Sequence, residues 1–127
     1  MLSKKKILIT RKLPDAVTNR AQVTYETTLN NDDLPYGVDQ MIELCQDKDA
    51  VLCTLTNDMS RSVIERLPES IDAIATFSVG YEHIDLEAAK DRGIIVTNTP
   101  GVLTDATADV ALLLLLGASR RAREGAE

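Results

Sequence analysis

Aromatic residues are scarce, at 3% of the chain, and tryptophan is absent. The stacking platforms that seat single-stranded nucleic acids, and the aromatic shelves that seat sugars, therefore have little to be built from. Cysteine and histidine are almost as rare. Cys45 and Cys53 cannot form a disulfide framework or a four-thiolate zinc site, and the lone His83 cannot complete a mixed cluster, so no structural metal is expected. Basic charge is in deficit, with 14 Lys and Arg against 20 Asp and Glu, a net charge of −6. Phosphate backbones and anionic membranes would be repelled, so neither nucleic acid nor membrane is an expected partner. Long apolar runs are missing as well. Ile7-Leu8-Ile9, behind Lys4-Lys5-Lys6, is too short for a signal peptide. The apolar stretch 110–118 falls short of the roughly 18 residues that span a bilayer. A cytoplasmic protein with reduced thiols is expected.

Glycine spacing removes further classes. Gly37, Gly80, Gly93, Gly101, Gly117 and Gly125 never stand one residue apart, so neither half of a dinucleotide fingerprint exists, and there is no phosphate-cradling lysine loop. A Gly-x-Ser-x-Gly elbow is lacking, which excludes the usual serine hydrolase arrangement.

What is present is 127 residues, 44% hydrophobic and 27% charged: one globular domain with a core, and neither a disordered chain nor a coiled coil. Strand-like and helix-like segments alternate, which predicts an α/β fold: a doubly wound parallel sheet of about five strands. Strands are expected at 7–10, 22–26, 50–55, 73–77 and 94–97. Pro14 fits the first position of a helix through Arg20, and a helix at 38–46 places Val38, Met41, Ile42 and Cys45 on one face. Ser60 or Ser62 can cap a helix that Pro68 stops, and Ser62 with Glu65 fits a capping box. The best-punctuated helix has Asp85 as N-cap, Glu87 in its first turn, Lys90 and Arg92 in its last, and Gly93 as a left-handed stop. After the Pro100-Gly101 turn, Thr104 can cap a long helix that opens with Asp105 and Asp109 and ends near Arg120, Arg121 and Arg123.

An open parallel sheet binds ligands at the carboxyl ends of its strands, so loops 55–59, 78–83 and 98–104 carry the functional weight. In the second, Ser78-Val79-Gly80 leaves a buried strand with a glycine that lets backbone N–H groups converge on an anion. His83 is read as a packing or capping residue more readily than as a general base, since Glu82 and Asp85 need not face it. Asp105 and Asp109 are read as stabilising a helix dipole, and Cys45 and Cys53 as small core residues. Asp58, past the third strand, raises a second possibility: a non-enzymatic signalling module of receiver type. That chemistry needs an acidic pair after the first strand, where Arg11-Lys12 stands, and a lysine after the fifth, where Asn98-Thr99-Pro100 stands.

Three ordered segments carry a resemblance. They are Phe77-Ser78-Val79-Gly80-Tyr81-Glu82-His83-Ile84-Asp85, Arg92-Gly93-Ile94-Ile95-Val96-Thr97-Asn98-Thr99-Pro100-Gly101, and Val102-Leu103-Thr104-Asp105-Ala106-Thr107-Ala108-Asp109. Together they resemble the D-isomer-specific 2-hydroxyacid dehydrogenases, closest to the glyoxylate/hydroxypyruvate reductase branch. The resemblance implies a flavodoxin-like substrate-binding domain over 1–127, with 104–124 the helix that would lead into a dinucleotide-binding domain. It implies that Ser78, Val79 and Gly80 offer backbone donors to the carboxylate of a small 2-oxo or 2-hydroxy acid, that Leu55 and Thr56 line the same cleft, and that Thr107 lies near the nicotinamide end of NAD or NADP. The family's Gly-x-Gly-x-x-Gly and its catalytic arginine, glutamate and histidine map onto no residue here, and His83 is not that histidine. The isolated chain is therefore expected to be inactive, to bind no dinucleotide tightly, and to self-associate through the apolar helix.

Overall fold

The structure is a computed structural model that describes residues 3–121 and 123–126. Five strands alternate with five α-helices: β1 (Lys6–Ile9), α1 (Asp15–Thr24), β2 (Glu26–Leu29), α2 (Val38–Leu44), β3 (Ala50–Cys53), α3 (Arg61–Ile64), β4 (Ala73–Thr76), α4 (Leu86–Asp91), β5 (Ile95–Thr97) and α5 (Thr104–Ser119). All four strand pairings are parallel, in the order β2-β1-β3-β4-β5. This is the parallel sheet that the alternation predicts, in the flavodoxin-like arrangement that the resemblance implies.

Parallel strands require crossovers, and the crossover helices bury one sheet face thoroughly. Leu8, Val51, Cys53 and Ile74 meet Met41, Val63, Ile64, Ala88 and Ala89 from α2, α3 and α4 in the main core. Each large side chain there contributes about 1.5–3 kcal/mol by leaving water. The opposite face is covered only in part: Ile7, Ile9 and Leu13 pack with Val17 and Ala21 of α1. Towards β4 and β5 that face opens into a groove of about 430 Å³, lined by Ala50, Leu52, Ala73, Ala75 and Thr97 among others. α5 buries none of its residues.

Several boundaries differ from the sequence reading. The second strand lies at Glu26–Leu29 instead of 22–26, because α1 runs on through Thr24 and its last turn closes with the Tyr25 N–H on the Ala21 carbonyl. Lys4 Nζ donates to the Val23 carbonyl at 2.7 Å, capping that helix end with a cation. Pro14 occupies the N-cap position of α1 and not its first turn. β3 stops at Cys53 and β4 at Thr76, freeing Leu55 and Phe77 for loops, and β5 begins at Ile95. Ser60 holds the N-cap position of α3 without a side-chain cap, and the Ser62–Glu65 box does not form. Asp58 Oδ1 instead accepts the Ser60 N–H at 2.8 Å, turning the chain into α3. Leu103, not Thr104, is the N-cap residue of α5, and the helix ends at Ser119, so Arg120, Arg121 and Arg123 lie beyond its last turn. The Asp85 cap and the Gly93 stop are as predicted: Asp85 Oδ1 accepts the Ala88 N–H at 2.8 Å, and Gly93 has φ +69°.

Candidate functional site

Strand order reverses between β1 and β3, so their carboxyl ends diverge and leave a crevice. The walls of that crevice are cross-braced. Thr10, at the end of β1, donates its hydroxyl to Asn57 Oδ1 at 2.7 Å, and the same oxygen accepts the Thr54 N–H at 3.0 Å. This buried bracket shapes the loop after β3 and lifts Leu55, 60% exposed, to its tip. Arg11 spans the mouth. Its Nε donates to Asp33 Oδ1 at 2.8 Å, while Nη1 donates to Thr56 Oγ1 at 2.8 Å. Asp33 sits in left-handed backbone with φ 54° and also accepts the Lys12 N–H at 2.9 Å. The Arg11 bond and then the Lys12 N–H hold the Asp33 carboxyl down to about 2. A recess of about 270 Å³ lies between Arg11, Leu13, Thr54, Leu55, Thr56 and Phe77.

The loop after β4 continues from Phe77, whose N–H is fixed to the Cys53 carbonyl at 2.8 Å. Three successive carbonyls in this loop are turned towards the protein. The Ser78 carbonyl accepts the Thr99 N–H at 3.0 Å, the Val79 carbonyl accepts Asn98 Nδ2 at 2.8 Å, and the Gly80 carbonyl accepts the Ser78 hydroxyl at 2.7 Å. Among the described residues, the N–H groups of Ser78, Val79 and Gly80 have no intramolecular acceptor. Among the described residues no peptide bond is cis, and in a trans peptide the N–H points opposite to the carbonyl before it. The Val79 and Gly80 N–H groups therefore point away from Asn98 and Thr99. Unpartnered donors backed by bonded acceptors are an arrangement that can receive an anion.

Gly80 does not take positive φ, so its place does not rest on left-handed backbone. A Cβ at this position would instead meet Glu82 Oε2 at 2.6 Å, and the flexible carboxylate would have to move. Beneath the loop lies His83, half-buried, with Nε2 at 3.2 Å from Thr76 Oγ1 and 3.9 Å from Cys53 Sγ. Burial lowers the histidine's pKa, against a smaller opposing effect from Glu82. Burial also pushes the Cys53 thiol up to about 11.

Of the residues singled out from sequence, Leu55 and Thr56 share the recess beside Arg11, and Ser78, Val79 and Gly80 follow Phe77 at its edge. Thr107 stands apart, exposed on α5, with its N–H bonded to the Leu103 carbonyl at 2.9 Å. Sequence reasoning missed the working parts of Arg11, Asp33 and Asn98. Asn98 carried a usable signal, since an asparagine just past a strand favours side-chain bonds to nearby backbone. The Arg11–Asp33 pair joins residues on different loops and left no local trace. Asp58, which carried the signalling alternative, is used in the turn before α3, and Arg11 with Lys12 follows β1. No group of three or more potential metal ligands occurs among the described residues.

A glycerate dehydrogenase from Hyphomicrobium methylovorum is 50% identical over 98% of this chain, and the chain spans 38% of that protein's length. A glyoxylate reductase from Thermococcus litoralis is 42% identical over 93% of the chain and 35% of its own length. Among solved structures, the NADPH-dependent glyoxylate/hydroxypyruvate reductase from Sinorhizobium meliloti, in complex with NADP and malonate, superposes with a TM-score of 0.73. It shares 30% identity, covering 91% of this chain and 34% of that one. Residues 7–126 match the model of the D-isomer specific 2-hydroxyacid dehydrogenase catalytic domain, and the chain belongs to that family.

Proposed function

We propose that this chain is the substrate-binding part of an NAD(P)-dependent D-2-hydroxyacid dehydrogenase of the glyoxylate/hydroxypyruvate reductase kind. In this reading residues 1–127 form the substrate domain, and the segment 104–124 leads towards a dinucleotide-binding domain. The observation that carries it is the loop Ser78-Val79-Gly80, with three carbonyls bonded inward and three N–H groups that have no partner among the described residues. Those N–H groups hold the carboxylate of a small 2-oxo acid, each charge-assisted bond contributing about 1.5–3 kcal/mol where water is excluded. Leu55 packs over the substrate's carbon skeleton and excludes water. Thr56 keeps Arg11 at the mouth, where its positive charge favours entry of an anion.

The residues described do not fit a dinucleotide. No glycine-rich strand-to-helix turn is present, and α5 opens with Asp105, whose charge opposes a pyrophosphate at that helix end. In this reading the chain alone binds the acid without turning it over. A place in the cytoplasm accords with the two cysteines, both free and buried, and with the fact that no described helix is long and apolar enough to cross a membrane.

Titration of the isotope-labelled chain with glyoxylate tests this reading. Saturable shifts centred on the Val79 and Gly80 amides are expected, with no NADH oxidation. Amide resonances in this loop that ignore glyoxylate up to saturating millimolar levels would overturn it.

A further inference from the structure

We propose that His83 is a positioning residue: its imidazole, as the Nε2–H tautomer, orients the Ser78–Gly80 loop through Thr76. Donor counting sets the direction of each bond from the Gly80 carbonyl back to the imidazole. The Gly80 carbonyl can only accept, so the Ser78 hydroxyl donates to it at 2.7 Å. A serine hydroxyl carries one proton, so the 2.6 Å contact between Thr76 Oγ1 and Ser78 Oγ is donated by Thr76. The single threonine proton is thereby used. The 3.2 Å contact between His83 Nε2 and Thr76 Oγ1 must then be donated by the imidazole.

The opposite tautomer breaks this chain. Were the proton on Nδ1, Thr76 would donate to Nε2, and its oxygen would face Ser78 Oγ with no hydrogen between them unless Ser78 released Gly80. Nδ1 itself is buried and has no partner among the described residues, so a proton there would be a buried donor without an acceptor. As a lone pair it is the less costly orphan. The backbone of His83 is held independently: its carbonyl accepts the Met59 N–H at 3.1 Å, and the Met59 carbonyl accepts the Asp85 N–H at 2.9 Å. The fully buried Met59 thus anchors the histidine, and the histidine orients two hydroxyls that close the loop's turn. The relay stands on this geometry alone, whereas its consequence for an acid ligand rests on the function proposed above.

The chain has one histidine, so a tag-free sample gives a single imidazole to observe. Long-range ¹⁵N–¹H spectra at neutral pH are expected to show the Nε2–H form, and an Nδ1–H form would overturn the proposal. Thr76→Val should shift both ring nitrogens and the Gly80 carbonyl carbon, and weaken glyoxylate binding roughly 5-fold, with Thr76→Ser restoring all three. Ser78→Ala gives a second route should the valine variant fail to fold: the Gly80 carbonyl signal should move while the Nε2–H form persists. Ring and carbonyl signals unmoved in every folded variant would sink the relay even where glyoxylate binds. A chain that shows the relay but ignores glyoxylate would instead sink the carboxylate reading.

Discussion

Asp33 shows how a single carboxylate is remade by its neighbours. Its two strongest partners, Arg11 and the Lys12 N–H, bond only the charged form, and its pKa falls from 3.8 to about 2. The contribution to stability is therefore complete above the unfolded value of 3.8 and is lost as pH falls through about 2. A side-chain ¹³C titration should find the Asp33 midpoint near 2, and Arg11→Gln should return it towards the ordinary aspartate range. A midpoint unmoved by that substitution would mean that the guanidinium does not set it. At this scale the sequence made the end of β4 and the loop 78–83 legible, since Gly80 a few residues past a strand-like run marks a turn. The inward turn of the Ser78 hydroxyl was not legible, because it depends on Thr76 and His83 meeting beneath the loop. Proximity of that kind belongs to the folded chain.

Both ends of α4 are legible in the sequence because its start and stop signals are local and met, whereas the equally local Ser62–Glu65 box does not form. Asp85 caps α4 through the Ala88 N–H, so Asp85→Ala should destabilise the chain by about 1 kcal/mol in denaturant unfolding, while Asp85→Asn keeps most of that. Equal loss in both variants would place the stability elsewhere, for example in the Arg61 contact to the second carboxylate oxygen at 3.6 Å. Arg92 illustrates the opposite outcome. Its position suggested a favourable charge at the end of α4, but its guanidinium reaches across to the Ile64 and Leu67 carbonyls at 2.5 and 2.7 Å and closes the end of α3. β2 was misplaced because Val23 and Thr24 are β-branched, a local preference that tertiary pairing overrides. The register Lys6↔Glu26 through Ile9↔Leu29 sets that strand, and no short window of sequence contains both partners.

A parallel sheet follows from the alternation of strand-like and helix-like segments, whereas the order of its strands, which opens the crevice, is implied only by the family resemblance. The bareness expected of the apolar helix is present among the described residues. Leu112 to Leu116 in α5 are each 57–68% exposed, a contiguous apolar surface of the sort that seeks cover. A second copy is the cover expected of the isolated chain: in an antiparallel α5 pair, Asp105 and Asp109 of one chain would face Arg120, Arg121 and Arg123 of the other. Light scattering of the chain should show mass rising with concentration, and Leu113→Gln combined with Leu116→Gln should hold it at 13.9 kDa. A wild-type monomer at high concentration would refute the pairing. The inward commitment of three successive carbonyls also fixes what the mouth of the molecule turns away. A sodium ion or an ammonium group arriving there would meet carbonyl oxygens that point inward and each already hold one hydrogen bond, so in the function proposed above the loop discriminates by sign before size or shape matters.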